Sequence, residues 1–252
     1  MVAIYKQYGQ VPFQYVNGFK ISNDATTPNS IVNISAGSAL DSTGTFQVVT
    51  TTSLAVSNLI SGLGGLDTGT VAASKLYALH VVFDPVTLQP TGGMLSLSAT
   101  APVLPFGYNS FSLVGYVATD SSSHFLLGYW NNNNSGTRTF FYDSPQATAV
   151  TAGAATSYTA VDLSALVPLV DGIPVWIASS FTPGAASRTF NLQPVGGTGN
   201  AITVTGQVTA VVVTSNSLVM AKIATAKPEI SYKVSNAGDA VAINVAGYEF
   251  NL

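Results

Sequence analysis

Apolar residues along this chain fall in short runs or alternate with polar ones, and the runs are rich in Val, Ile, Thr and aromatics. Residues 30–35 alternate around Ile31, Val32 and Ile34, and residues 44–50 hold Phe46, Val48 and Val49. KLYALHVVF, residues 75–83, is a continuous apolar run that ends at the turn signal Asp84-Pro85. Residues 93–99, 111–119 and 124–130 follow, the last two separated by DSSS, a loop of hairpin size. Residues 138–142 close this first block. Each of these patterns predicts a strand. The stretch SLAVSNLI, residues 53–60, has a spacing that fits a helix or a short strand.

The segment DSPQATAVTAGAAT, residues 143–156, is small, polar and poor in aromatics, and it reads as a domain boundary. Beyond it, predicted strands at 175–181, 188–193, 201–213 (broken at Gly206), 217–223, 229–234 and 240–248 recur at the spacing of a sandwich or barrel. The breaks between them supply Gly, Pro or Asn for turn dihedrals. The expected architecture is all-β: an aromatic N-terminal arm over 1–19, a β-rich domain over 20–145, and a C-terminal β-sandwich of jelly-roll type over 146–252. No heptad pattern is present, so no coiled-coil stalk is expected. The arm holds Tyr5, Tyr8, Phe13, Tyr15 and Phe19, too many aromatics for a solvated tail. Tyr5, Tyr8, Phe13 and Tyr15 are the candidate contacts to this domain, a neighbouring subunit or another protein.

Composition narrows the function. Charged residues make up 8 % of the chain, against roughly 25 % in an average soluble domain. The polar surface must be built from Ser, Thr, Asn, Gln and Gly. Six Lys and two Arg are scattered along the chain and the net charge is −3, so no nucleic-acid partner is expected. A chain this short of surface charge is expected to be built into a larger assembly. With no cysteine there is no disulfide framework and no thiolate metal site. The first ten residues carry one Lys and no apolar run, so no signal peptide is read there. No run of about 18 apolar residues occurs, so no membrane insertion is expected. Secreted character without a leader fits synthesis in a bacterial cytoplasm and release by lysis.

Candidate chemistry is sparse, and the expectation is a protein that is not an enzyme and holds no cofactor or metal. His80 lies inside a strand run and His124 opens one after the serine loop; neither has the spacing of a zinc ligand. Asp41, Asp67, Asp84, Asp120, Asp143, Asp162, Asp171 and Asp239 stand mostly in turn contexts, where Asp caps backbone N–H groups. Asp67-Thr68-Gly69 matches the triplet of aspartic proteases but occurs once, where two facing copies are needed. Asn131 to Asn134 reads as a hairpin tip. Aromatics concentrate between Tyr108 and Tyr142. Strand alternation places about half of them in the core. Tyr129 and Trp130 are the candidate ligand contacts, able to stack on a sugar ring or a partner.

Several segments together resemble virion structural proteins of tailed bacteriophages. NGFKISNDATTPNSIVNISAGSALDSTGT, residues 17–45, is similar to the opening of a recurrent virion module. GGLDTGTV, residues 64–71, then KLYALHVVFDPVT and LSLSATAPVLPFGYNSFSLVGYVATD follow in the order seen in many tail-fibre proteins. In the C-terminal half DLSALVP at 162–168, FNLQPVG at 190–196 and VAGY at 245–248 resemble the β-sandwich modules that end such proteins. The resemblance implies a non-enzymatic virion protein, tail-fibre or tail-associated, acting in assembly or host attachment. It implies a homotrimer, other virion proteins as partners, and a host-surface glycan as a further one. A capsid decoration protein has the same composition and build, and a carbohydrate-binding module is a further alternative.

Overall fold

The structure, a computed structural model, describes residues 2–6, 15–86, 91–132, 137–143, 147–198 and 201–251, with 2–6 and 132 by backbone alone. Every regular element among them is a strand, as the shortage of good helix formers predicts. The chain divides into two compact units, residues 1–140 with 251–252, and residues 141–250. The sequence sets the boundary after residue 145; the observed division follows Phe140, and the last two residues return to the first unit.

The first unit contains β1 (Val2–Lys6), β2 (Val16–Gly18), β3 (Ile21–Asn23), β4 (Ile31–Ile34), β5 (Gly37–Leu40), β6 (Phe46–Thr50), β7 (Leu54–Ser57), β8 (Leu76–Phe83), β9 (Gly92–Ser96), β10 (Ser110–Ala118) and β11 (Gly128–Asn132). A twelfth strand, β12 (Thr137–Tyr142), runs across the boundary. Antiparallel sheets form in the orders β1-β6-β5-β2, β3-β4-β7 and β10-β8-β9. The ambiguous stretch at 53–60 is a strand, β7, which pairs with β4. Central β8 is buried on both faces, which is why its sequence runs apolar without alternation. A Cβ at Gly93 would overlap Val56 Cγ2 and stand 3.1 Å from Ile34 Cδ1, so this glycine lets the β3-β4-β7 sheet close onto β9.

Where it is described, the 1–19 segment is part of the first unit and not a separate arm. The β5–β6 hairpin offers two open edges, and open edges need partners. Val2–Lys6 pairs along β6 and Val16–Gly18 along β5, and Phe19 is fully buried. Tyr5 stands opposite Gln47 in that register. Tyr15 is half-buried, and its carbonyl accepts the Leu40 N–H at 2.9 Å. Tyr8 and Phe13 lie outside the described residues.

The second unit carries β13 (Thr148–Gly153), β14 (Thr159–Asp162), β15 (Ile173–Thr182), β16 (Arg188–Pro194), β17 (Ile202–Gly206), β18 (Val213–Ala224), β19 (Lys227–Val234) and most of β20 (Ala240–Asn251). Pairing is nested: β16 with β17, β15 with β18, β14 with β19, and β13 with β20, all antiparallel. Lateral pairs β15–β20 and β16–β19 join these pairs into the runs β13-β20-β15-β18 and β14-β19-β16-β17, which the β18–β19 pairing links into one continuous sheet. This nested pairing of eight strands is compatible with the jelly roll expected from the sequence. Burial alternates strictly along β15, with Ile173, Val175, Ile177 and Phe181 inward. Across this fold Phe181 of β15 stacks on Phe190 of β16 at 6.1 Å. The segment 143–156, expected to link two domains, instead contributes β13. Its small residues fit because β13 runs beneath Tyr232, whose hydroxyl a Cβ at Gly153 would overlap.

Two buried polar side chains of the first unit stand out. Arg138 on β12 is 3 % exposed; its Nη1 donates to the Phe19 carbonyl at 2.8 Å and its Nη2 to the Gly18 carbonyl at 3.0 Å. Both acceptor residues have positive φ, 71° at Gly18 and 46° at Phe19. Burial lowers the guanidinium pKa to about 10, so it stays charged at neutral pH. His80, in the middle of β8, is fully buried. Its Nε2 donates to the Ser98 carbonyl at 3.0 Å, and its ring meets Phe111 edge-on at 5.3 Å. Burial lowers its pKa from 6.5 to about 4.

Arg138→Met is expected to lower stability by about 2–5 kcal/mol, because it removes two charge-assisted bonds and strands two carbonyls. Arg138→Lys should not restore it, since one ammonium does not reproduce the guanidinium fork. Urea midpoints measure both, and an unchanged midpoint for the Met variant removes the clamp from the stability argument. For His80 the folded pKa lies below the unfolded one, so between them the unfolded chain binds the proton more tightly. Its contribution is complete above about pH 6.5 and is lost as pH falls towards about 4, by about 3 kcal/mol in all. In His80→Leu the slope of the urea midpoint between about pH 6.5 and 4.5 should flatten; an unchanged slope assigns the acid sensitivity elsewhere.

Candidate functional site

Three strands of the first unit turn polar side chains to the same side. Along β3, Ile21 is buried while Ser22 and the adjoining Lys20 are exposed. Along β4, Val32 and Ile34 are buried while Asn33 and the adjoining Ser35 are half-buried. Along β11, Trp130 is buried while Tyr129 and Asn131 are exposed. Strand alternation thus puts the apolar partners inward and leaves a polar surface with one aromatic ring on it. With Ile21, Ser53, Gly128 and Trp130, these polar residues and Tyr129 line an open cleft of about 500 Å³.

The cleft floor is fixed from behind. Asn23 donates its Nδ2 to the carbonyls of Pro28 at 3.0 Å and Leu126 at 3.4 Å, and its Oδ1 accepts the Gly128 N–H at 3.2 Å. This ties β3 to the start of β11 and so sets where Tyr129 stands. Asn33 donates its Nδ2 to Asp24 Oδ2 at 3.0 Å, which uses one of its two amide N–H groups and leaves the other and the carbonyl oxygen. Asp24 Oδ1 accepts from the Thr26 and Thr27 N–H groups and from Thr27 Oγ1. Those donors, led by the Thr27 N–H, hold the carboxyl pKa at about 2.

The structure separates the two aromatic candidates. Tyr129 is 63 % exposed at the cleft. Trp130 is 7 % exposed, its ring lies 4.5 Å from Phe140, and its Nε1 donates to the Tyr116 carbonyl at 3.4 Å. Trp130, the other expected ligand contact, also borders the cleft, but its ring is largely packed in the core because neighbouring strand positions point to opposite faces. The sequence reading did not single out Lys20 and Asn33, and it placed Asn131 in a hairpin tip, whereas Asn131 lies within β11. A polar residue in the alternate positions of each strand was the available signal, but nothing in the sequence says that β3, β4 and β11 are neighbours. Phe106, between Pro105 and Gly107, is fully exposed and was also missed.

Other residues with catalytic potential serve turns. Asp41 Oδ1 accepts from the Thr45 and Phe46 N–H groups and Oδ2 from Thr43 Oγ1. It is the only carboxylate lining a second cavity, of about 260 Å³, among the described residues. Asp67 accepts from Thr68 N–H, Ser96 Oγ and Val103 N–H, which occupies the carboxylate of the Asp-Thr-Gly triplet. Asp120 caps Ser122 and His124 N–H groups, with the exposed His124 ring 3.4 Å from its second oxygen. Asp84, Asp162 and Asp239 likewise accept backbone N–H groups. Among the described residues the 500 Å³ cleft is lined by no carboxylate.

No protein-family model matches the chain, and no curated protein does. Among solved structures the chain is similar to TmCBM61 in complex with β-1,4-galactotriose, at 16 % identity over 51 % of this chain and 71 % of that one, with a TM-score of 0.22. A likeness at that score carries no argument about fold or ligand.

Tyr129→Ala should leave stability within about 0.5 kcal/mol of the parent, as surface changes do. Trp130→Ala should cost about 3–5 kcal/mol, as large aromatic truncations in a core do. Thermal unfolding of both variants measures the contrast. Equal losses would mean that Tyr129 is part of the packing and not a displayed ring.

Proposed function

We propose that this is a non-enzymatic attachment protein that holds a glycan in the Tyr129 cleft. The observation that carries the reading is the cleft's chemistry: one displayed aromatic ring beside two amides, three serine hydroxyls and an ammonium, with no carboxylate among the described lining residues. A sugar presents apolar C–H faces and a rim of hydroxyls, and an amphipathic ring flanked by amides and hydroxyls matches both. Glycoside hydrolysis needs two carboxylates flanking the scissile bond, and the cleft offers none. The setting we propose is a bacteriophage virion, tail-fibre or tail-associated, with a host-surface glycan as ligand. The segments 17–45, 64–71 and 95–120 support that setting through their resemblance to virion proteins. The 8 % charge content supports placement in an assembly, as does the outer face of β15 and β18, where Trp176 stands beside the exposed Leu218.

Binding of purified protein to immobilised bacterial surface polysaccharides tests the reading. The parent should bind at least one, without releasing reducing ends, and Tyr129→Ala should lose about tenfold or more in affinity, given a stacking ring at the centre of the contact. Binding that survives Tyr129→Ala unchanged moves the site elsewhere, and release of reducing ends makes the protein an enzyme. Antibody against the protein should label the tails of phage particles in negative stain. Labelled heads would favour the capsid decoration reading, and particles without label would remove the virion setting.

A further inference from the structure

We infer that the glycan held in the Tyr129 cleft is acidic, with an anionic substituent placed against Lys20; this rests on the cleft being a glycan site. Lys20 is the only charged residue lining the cleft among the described residues, and it is exposed. In a chain with six lysines across 252 residues, an ammonium on the cleft wall is not explained by a general need for surface charge. Nor is it explained by pairing: the ion pairs among the described residues join Lys227 to Asp162 and His124 to Asp120. The nearby carboxylate, Asp24, stands behind Asn33 with four hydrogen-bond donors on its two oxygens. The remaining wall groups recognise neutral hydroxyls: Asn33, Ser22 and Asn131 can both donate and accept, and Ser35, whose hydroxyl donates to the Ala36 carbonyl at 3.0 Å and accepts the Lys20 N–H at 2.9 Å, keeps an acceptor lone pair. Such groups bind neutral and acidic sugars alike. Lys20 offers only donors and a full positive charge, so it discriminates in favour of a sugar bearing a carboxylate or phosphate over its neutral counterpart. Because the ammonium is solvated, the discrimination is modest, about three- to tenfold in affinity.

The test uses the full chain on three sets of immobilised bacterial polysaccharides: uronic-acid-containing, phosphate-bearing and neutral. The parent should prefer one of the two acidic sets, and which set it prefers distinguishes carboxylate from phosphate. Lys20→Gln should lose about three- to tenfold on the preferred acidic set and nothing on neutral glycans. Lys20→Arg should keep the preference, since it keeps the charge. Tyr129→Ala should weaken binding to every set. A parent that binds neutral and acidic sets equally overturns the inference while leaving the glycan reading intact. So does a Lys20→Gln variant that keeps the acidic preference. A parent that binds none of the three sets overturns the glycan reading itself, and with it this inference.

Discussion

The first unit depends on one buried cation. Arg138 sits in the interior with two backbone carbonyls as its recorded acceptors, and no carboxylate pairs with it among the described residues. An unpaired guanidinium in a low-dielectric interior is costly unless its donors are satisfied. Gly18 and Phe19 meet that need by adopting left-handed backbone in succession. For Phe19, with a Cβ and an aromatic ring, that conformation is strained. A Cβ at Gly18 would stand 2.6 Å from the Ala36 carbonyl oxygen, so the neighbouring strand has closed on this turn too. The turn then delivers the chain into β3, whose Ser22 lines the cleft and whose Asn23 locates β11. Cleft geometry therefore traces back to a buried charge that does not itself line the cleft.

A different economy governs the surface. With few charges, the protein uses its carboxylates locally. Asp24, Asp41, Asp120 and Asp239 each gather several donors within a few residues, and so hold turns where other proteins would place solvated ion pairs. A carboxylate satisfied by backbone N–H groups does not contribute a long-range attraction, but it fixes the exit angle of a loop. The many short connections between strands need that service more than they need solubility.

How much of this was legible depended on whether a signal was local. The strand at 76–83 was plain because a central, doubly covered strand must be apolar throughout. The extents of β15 and β16 followed from alternation and from the turn residues around them. The Asp turns were legible because Asx chemistry is contained within a few residues. Strands β13 and β14 were not, since Thr, Ala and Gly there are chosen by what lies above them, notably Tyr232 over Gly153. The in-chain pairing of β1 and β2 was also hidden. An aromatic-rich segment reads the same whether it docks on its own hairpin or on another molecule. Tyr129 and Trp130 were both named as ligand contacts, because alternation says that neighbours differ without saying which one faces in.

The nested hairpin of the second unit also orders events in time. The pair β16–β17 closes a short loop, whereas β13 can meet β20 only when the chain between residues 153 and 241 has been drawn in. Loop-closure entropy grows with each enclosed segment, so the tip forms before the base and the outer pair is the last to zip. That outer pair is also the least regular, with register shifts on either side of Val150. On a ribosome the N-terminal strands of the roll must wait, with open edges, for a partner encoded at the far end of the unit. A stretch built of Thr, Ala and Gly is suited to waiting, because it offers neighbouring nascent chains little apolar surface to stick to.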